Sequence, residues 1–273
     1  MNWPLAIPSL STTPTLDTFP LLFLHPLVLW GFLGVFYNFG ERELWGRTVV
    51  FTLTLFIFSA YLQQEWPPFN SALNAAGEEA HIFSNWIPSV GVIIMAGLCA
   101  WIAWETKNKG LKIICGMCLA YYSYALYIHA PISWQAYVGS LLIVVLALLV
   151  FDIVSVRLAA KYPQITGFII SAGTIYLILT QHMEYPFVYA IQGALIGFTL
   201  GWMINGNESV GKRFSLAHVY RFLILGFGST LVWMLLTMIE SLCEPLTYAA
   251  ILGFLFALWI TLGVHTTARF YGK

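Results

Sequence analysis

The sequence predicts an all-α integral membrane protein: a polytopic bundle of about nine transmembrane helices, N-terminus outside and C-terminus cytoplasmic. Three observations carry this expectation. Of 273 residues, 59% are hydrophobic and only 9% are charged, against roughly 25% charged in soluble domains. Nine apolar runs approach or exceed the length of helix, about 20 residues, that crosses a hydrocarbon core. The basic residues fall in alternate loops, as the positive-inside rule requires of a polytopic chain.

The runs cover residues 18–38, 47–64, 87–104, 111–129, 135–157, 163–181, 186–204, 216–238 and 246–267. Ahead of them, "MNWPLAIPSLSTTPTLDTF" has no basic n-region, so residues 1–16 read as an interfacial segment rather than a cleaved signal peptide. Runs two and three flank the one long loop, 65–86, which is too short for a soluble domain. The remaining connections are short turns, which imply antiparallel neighbours within one membrane domain, 1–273. Run seven contains "GALIGFTLG", with Gly193, Gly197 and Gly201 four residues apart. Such a stripe permits close helix approach, and packing is the preferred reading.

Every lysine and arginine (Arg42, Arg47, Lys107, Lys109, Lys112, Arg157, Lys161, Lys212, Arg213, Arg221, Arg269, Lys273) lies near the loops after runs one, three, five and seven, or in the tail. That alternation sets the orientation and supports the count of nine. The outer face then holds Asp17, Glu65, Glu78, Glu79, Glu184, Glu240 and Glu244, with His81, His129 and His182. Trp66, Trp86 and Trp134 fall where an aromatic belt belongs. Twelve basic and twelve acidic residues cancel, which gives no reason to expect a nucleic-acid partner.

Three segments of the outer face carry a resemblance. "SAYLQQEWPPF" ends run two, "NWIPSVGVIIMAG" opens run three, and "YSYALYIHAPISWQAYVGSLL" joins runs four and five. In order and spacing they resemble the signature segments of the type 2 phosphatidic acid phosphatases, and among them bacterial proteins similar to sphingosine-phosphate phosphatases. "SLSTTPTLDTF", "ERELWGR" and "GALIGFTLGW…KRFS…YRFLILGFG" also look like that branch. The resemblance implies a phosphatase-like core over 17–158 and additional C-terminal helices over 159–273.

The signatures are degenerate. Of Lys-x6-Arg-Pro, Pro68 stands, but Ala60 and Pro67 occupy the lysine and arginine positions. Of Pro-Ser-Gly-His, Pro88 and Ser89 stand, and Val90 and Gly91 replace the rest. Of Ser-Arg-x5-His-x3-Asp, His129 stands, with Tyr122, Ser123 and Ser133 at the serine, arginine and aspartate positions. The resemblance implies that His129 occupies the place of a nucleophile that attacks phosphorus. The missing residues are those that hold phosphate, protonate the leaving group and orient the nucleophile. Phosphoryl transfer is mostly positioning and stabilisation of charge, and one lost donor costs on the order of 10²–10³ in rate. No outer-face lysine or arginine substitutes, and acidic side chains there repel a dianion. His129 is thus either the remnant of a nucleophile or an interfacial histidine capping a helix end.

Other constellations are weaker. Glu78, Glu79 and His81, with His129, His182 and Glu184, match no metal-ligand spacing, and a solvated acidic loop is the preferred reading, with no metal and no cofactor expected. Cys115 and Cys118 form C-x-x-C inside "IICGMCLA", an apolar run where packing is preferred over redox or zinc chemistry. Asp152 lies in run five with Arg157 close behind, which favours snorkelling, and His25 lies in run one. The expectation is a catalytically impaired or inactive protein that binds a membrane lipid, a phospholipid or an isoprenoid lipid, or a membrane protein partner. The alternative is an active phosphatase of sphingoid, diacylglycerol or polyprenyl phosphates with His129 as nucleophile. A transporter or complex subunit is a third reading, opposed by sparse intramembrane charge and the lack of a convincing internal repeat. The loop charges suit a bacterial inner membrane with the vestigial site facing the periplasm.

Overall fold

The computed structural model describes residues 26–39, 42–74, 89–129, 133–153, 163–180, 186–205 and 216–266. Among these residues there is no strand. The helices are α1 (Pro26–Phe39), α2 (Arg42–Asn74), α3 (Val90–Glu105), α4 (Lys109–His129), α5 (Trp134–Asp152), α6 (Pro163–Thr180), α7 (Pro186–Asn205), α8 (Leu216–Ile239) and α9 (Pro245–Leu258). A 3-10 turn, Glu240–Leu242, links α8 to α9, and α9 continues into a π-helical segment, Trp259–Gly263. Four stretches are long and apolar enough to cross a membrane: Leu44–Leu62, Trp134–Asp152, Val219–Met238 and Pro245–Thr266. Shorter apolar helices cover Gly91–Glu105, Phe168–Leu177 and Val188–Ile204. The protein is a helical membrane protein by these criteria.

Helix boundaries follow local chemistry. α3 begins after Ser89, whose extended backbone and carbonyl, 3.0 Å from the Ile93 nitrogen, open the first turn. It ends at extended Thr106, whose N–H returns to Ile102 O at 3.0 Å. Two residues later, Asn108 Oδ1 accepts the Gly110 N–H at 2.9 Å and caps α4. α9 starts with Pro245 at its first position, where no backbone donor is needed, behind an extended Glu244. α2 runs on through Pro67 and Pro68, where the sequence places the end of run two near 64. Proline's fixed φ is compatible with a helix, but each ring removes a backbone donor and crowds the carbonyl four residues earlier, so this stretch of α2 is helical at a local cost.

The chain divides into two compact units, Met1–Phe32 with Phe58–Phe151, and Leu33–Ile57 with Asp152–Lys273. In the first, α3 is buried on every side from Gly91 to Cys99, and again at Trp101 and Ile102. That is the pattern of a central helix that is apolar all round. Trp101 stacks edge-on to Phe151, with centroids 5.0 Å apart and planes at 84°. α4 and α5 instead expose Ile113, Ile114, Met117, Leu142, Leu146 and Leu149. A continuous apolar surface of this kind suits hydrocarbon, not water.

In the second unit α7 and α9 pack backbone to backbone. A Cβ on Gly193 would collide with the Ala250 carbonyl, one on Gly197 with the Phe254 carbonyl, and one on Gly253 with the Ala190 carbonyl. The glycine stripe read from the sequence is therefore the contact surface of α7 on α9. Lower on the same stripe, Gly201 receives Thr261. Phe198, fully buried, meets Tyr37 of α1 edge-on at 4.9 Å. Buried threonines are satisfied within their own helices: Thr48 Oγ donates to Leu44 O at 2.8 Å and Thr52 Oγ to Thr48 O at 2.7 Å. This is how a hydroxyl is tolerated where no water is present to bond it.

Candidate functional site

Within the first unit, two of the three segments quoted above, that of Ser89 and that of Ser123 and Ser133, meet along one helix. Ser133 caps α5: its Oγ accepts the Ala136 N–H at 3.2 Å, and its carbonyl accepts the Tyr137 N–H at 3.1 Å. One turn further, Tyr137 and Ser140 lie three residues apart and share a face of α5. The Tyr137 hydroxyl is 2.8 Å from Ser123 Oγ of α4. Ser123 Oγ also lies 2.8 Å from Leu119 O, which only accepts, so the serine proton goes there and Tyr137 donates to the serine. Ser140 Oγ accepts the Ser89 N–H at 2.9 Å and donates to Ala136 O at 2.7 Å.

Three of the expected site residues, Ser89, Ser123 and Ser133, are thus collected by α5. His129 is the last residue of α4, and its side chain is outside what the structure describes. Pro88 lies outside the described residues altogether, as do Glu78, Glu79, His81, His182, Glu184 and His25. Tyr137 and Ser140, the two side chains that tie the segments together, carry no motif in the sequence. Their signal is a pair of hydroxyls at i and i+3 in a helix whose other polar residues, Gln135 and Asp152, lie at its ends.

The electrostatics of this cluster are those of neutral hydroxyls. Ser89, Ser123, Ser133, Tyr137 and Ser140 carry no charge. The lysines of this hairpin, Lys107, Lys109 and Lys112, stand toward the opposite end of α4, and the 11 residues from the nearest, Lys112, to Ser123 span roughly 16 Å. At such a distance in a salt solution an exposed charge is largely screened. Among the described residues the cluster offers hydrogen bonds to a neutral polar group and no clamp for a phosphate dianion. Among the described residues no group of three or more His, Cys, Asp or Glu side chains is placed to hold a metal ion. Cys99, Cys115, Cys118 and Cys243 form no disulfide, and Cys115 is buried while Cys118 faces outward.

The second unit buries polar side chains that carry no motif. Asn38 Nδ2 donates to Gly34 O at 2.9 Å and reaches across to Ile260 O in the π-helical segment at 3.3 Å. On α7, Thr199 Oγ lies 3.3 Å from Ser171 Oγ of α6. Gln192, seven residues before Thr199 and on the same helical face, is 1% exposed, and neither end of its amide has a partner. An unsatisfied amide in an apolar interior costs free energy that an apolar side chain of similar shape does not. Gln192→Met is accordingly expected to stabilise the protein by roughly 1–3 kcal/mol. The check is a higher thermal midpoint in detergent, and a lower one contradicts the reading of Gln192 as unsatisfied.

Comparison with models of known protein families, with characterised proteins and with solved structures yields no match.

Proposed function

We propose that the chain is a nine-span membrane protein, on a scaffold resembling the type 2 phosphatidic acid phosphatases, that binds a membrane lipid without hydrolysing it. The observation that carries this reading is the α5 cluster: hydroxyls engaged with one another and with backbone, with no lysine or arginine among the described partners of these hydroxyls. A phosphatase of this kind needs fixed positive charge where the phosphoryl oxygens gather charge. The nine described helices overlap the nine apolar runs, which supports the span count. The loop charges support an outward N-terminus, a cytoplasmic C-terminus and, in a bacterial inner membrane, a cluster facing the periplasm.

The lipid, a phospholipid or an isoprenoid lipid, is held through its neutral parts and its chains; a membrane protein partner is the other candidate for the same surface. Binding of this kind is insensitive to salt, because no ion pair forms that counter-ions could screen. The test is native mass spectrometry of full-length protein released from nanodiscs at low and at high ionic strength. The expected result is lipid retained equally at both, and lost in the pair Ser123→Ala with Tyr137→Phe. Retention that collapses at high salt overturns the reading, as does retention indifferent to the double substitution.

A further inference from the structure

The turn between α3 and α4 in the first unit gathers three exposed lysines. Thr106 ends α3 in extended backbone and α4 starts at Lys109, so Lys107, Lys109 and Lys112 crowd into one short stretch. Glu105 is the one acidic residue between Glu79 and Asp152, and three lysines against one glutamate leave the turn a net charge of +2. The backbone donors that open α4 are already engaged. Asn108 Oδ1 accepts the N–H groups of Gly110 at 2.9 Å and Leu111 at 3.4 Å, and the Asn108 carbonyl accepts that of Lys112 at 3.2 Å. What the turn offers outward is its ammonium groups.

The level of those groups in the membrane follows from their neighbours. Trp104, just before the turn, is 64% exposed, and Ile113 and Met117, just after it on α4, are exposed as well. Lys109, Lys112 and Gly116 follow one another at three and four residues and share a face of α4. A Cβ on Gly116 would meet nothing within 4 Å, so the helix surface beside the lysines is open, roughly 6 Å deeper than Lys112. The ammonium groups therefore border an apolar surface directly, and the exposed indole stands where tryptophan marks the membrane interface. The anions that a bilayer presents at that level are the phosphates of its lipids.

We propose that the α3–α4 turn binds the headgroup phosphate of an anionic phospholipid, whose chains lie against the exposed apolar face of α4. Charge complementarity carries the selectivity. A zwitterionic headgroup brings no net charge to a site of net +2, whereas each lysine near a membrane surface favours an anionic lipid by about fivefold. The site rests on the membrane reading alone and lies toward the other end of α4 from Ser123. Unlike lipid held by the α5 cluster, this lipid is released by salt. Nanodiscs of zwitterionic lipid alone keep the two tests apart, because only the cluster is then expected to retain lipid.

The experiment uses the full chain in nanodiscs of phosphatidylcholine doped with a trace of photoactivatable lipid, either phosphatidylglycerol or phosphatidylcholine. Each probe carries a diazirine on the acyl chain close to the glycerol. After photolysis, labelled peptides are mapped by mass spectrometry. On Trp104–Met117 the phosphatidylglycerol probe is expected to exceed the phosphatidylcholine probe by about 25-fold at low salt, fivefold for each net charge, and to lose most of that excess at high salt. Around Tyr121 and Tyr124, exposed further along the same helix, the two probes are expected to label alike. Lys107→Gln, Lys109→Gln and Lys112→Gln are each expected to cut the excess about fivefold. Equal labelling of Trp104–Met117 by the two probes in the unaltered protein overturns the proposal whatever the variants do. So does an excess that the three lysine variants leave unchanged, that recurs in full around Tyr121 and Tyr124, or that free glycerol phosphate abolishes at matched ionic strength, the mark of a site for soluble anions.

Discussion

Replacing Gly197 by leucine is expected to abolish folded protein. The Gly197 Cα faces the Phe254 carbonyl so closely that even one added carbon would strike backbone, which cannot rotate aside. Overpacking commonly costs about 1–3 kcal/mol when side chains can yield. Here α7 and α9 must separate along their whole shared stripe, through Gly193 and Gly253 as well, so the penalty lies above that range. A total stability of 5–15 kcal/mol leaves little to absorb it. Gly173 and Gly116 supply the control, since a Cβ on either meets nothing within 4 Å. Gly173→Ala and Gly116→Ala are expected to be neutral or to stabilise by up to about 1 kcal/mol through helix propensity. Size-exclusion profiles and thermal midpoints in detergent separate the two classes, and a monodisperse Gly197→Leu protein refutes this packing.

Trp101→Ala is expected to have the second largest effect, in the other unit. Trp101 is fully buried in α3 and packs edge-on against Phe151. Removing it leaves a cavity in the last turns of α3, against Phe151, and such truncations cost about 3–5 kcal/mol. Trp101→Phe keeps the ring contact and is expected to lose less than half as much. Equal losses for the two variants contradict the role assigned to the ring.

Much of the fold is legible in the sequence because one physical rule dominates it. Backbone polar groups in hydrocarbon must be satisfied within a helix, so apolar runs of the right length become helices with little ambiguity. The runs 163–181, 186–204 and 216–238 correspond to Pro163–Thr180, Pro186–Asn205 and Leu216–Ile239, each bounded by polar or proline residues. The glycine stripe on α7 was equally readable, because spacing of four is one helix face. What hydropathy does not carry is which helix a face meets. Residues Leu33–Ile57 group with the C-terminal helices in one unit, a grouping that hydropathy does not carry. The π-helical turn at Trp259–Gly263 is also silent in the sequence; it coincides with an indole seated against Gly228 and Gly263.

The candidate site was legible in a narrower way. The quoted segments around Ser89, Ser123 and Ser133 do converge on α5, yet the residues that join them, Tyr137 and Ser140, follow from tertiary register and belong to no motif. The charge inventory was readable outright. The number of lysines and arginines does not depend on the fold, whereas the face each one occupies, like the partner of each hydroxyl, is set only when helices are placed.

That inventory decides what the protein is expected to do, and its consequence is measurable. Purified protein in nanodiscs, offered sphingoid, diacylglycerol and polyprenyl phosphates, is compared with His129→Ala for release of inorganic phosphate. The expected result is no release above the variant from either folded protein. Release that disappears in His129→Ala would contradict the account, because phosphate would then be held and cleaved without a lysine or arginine beside the cluster.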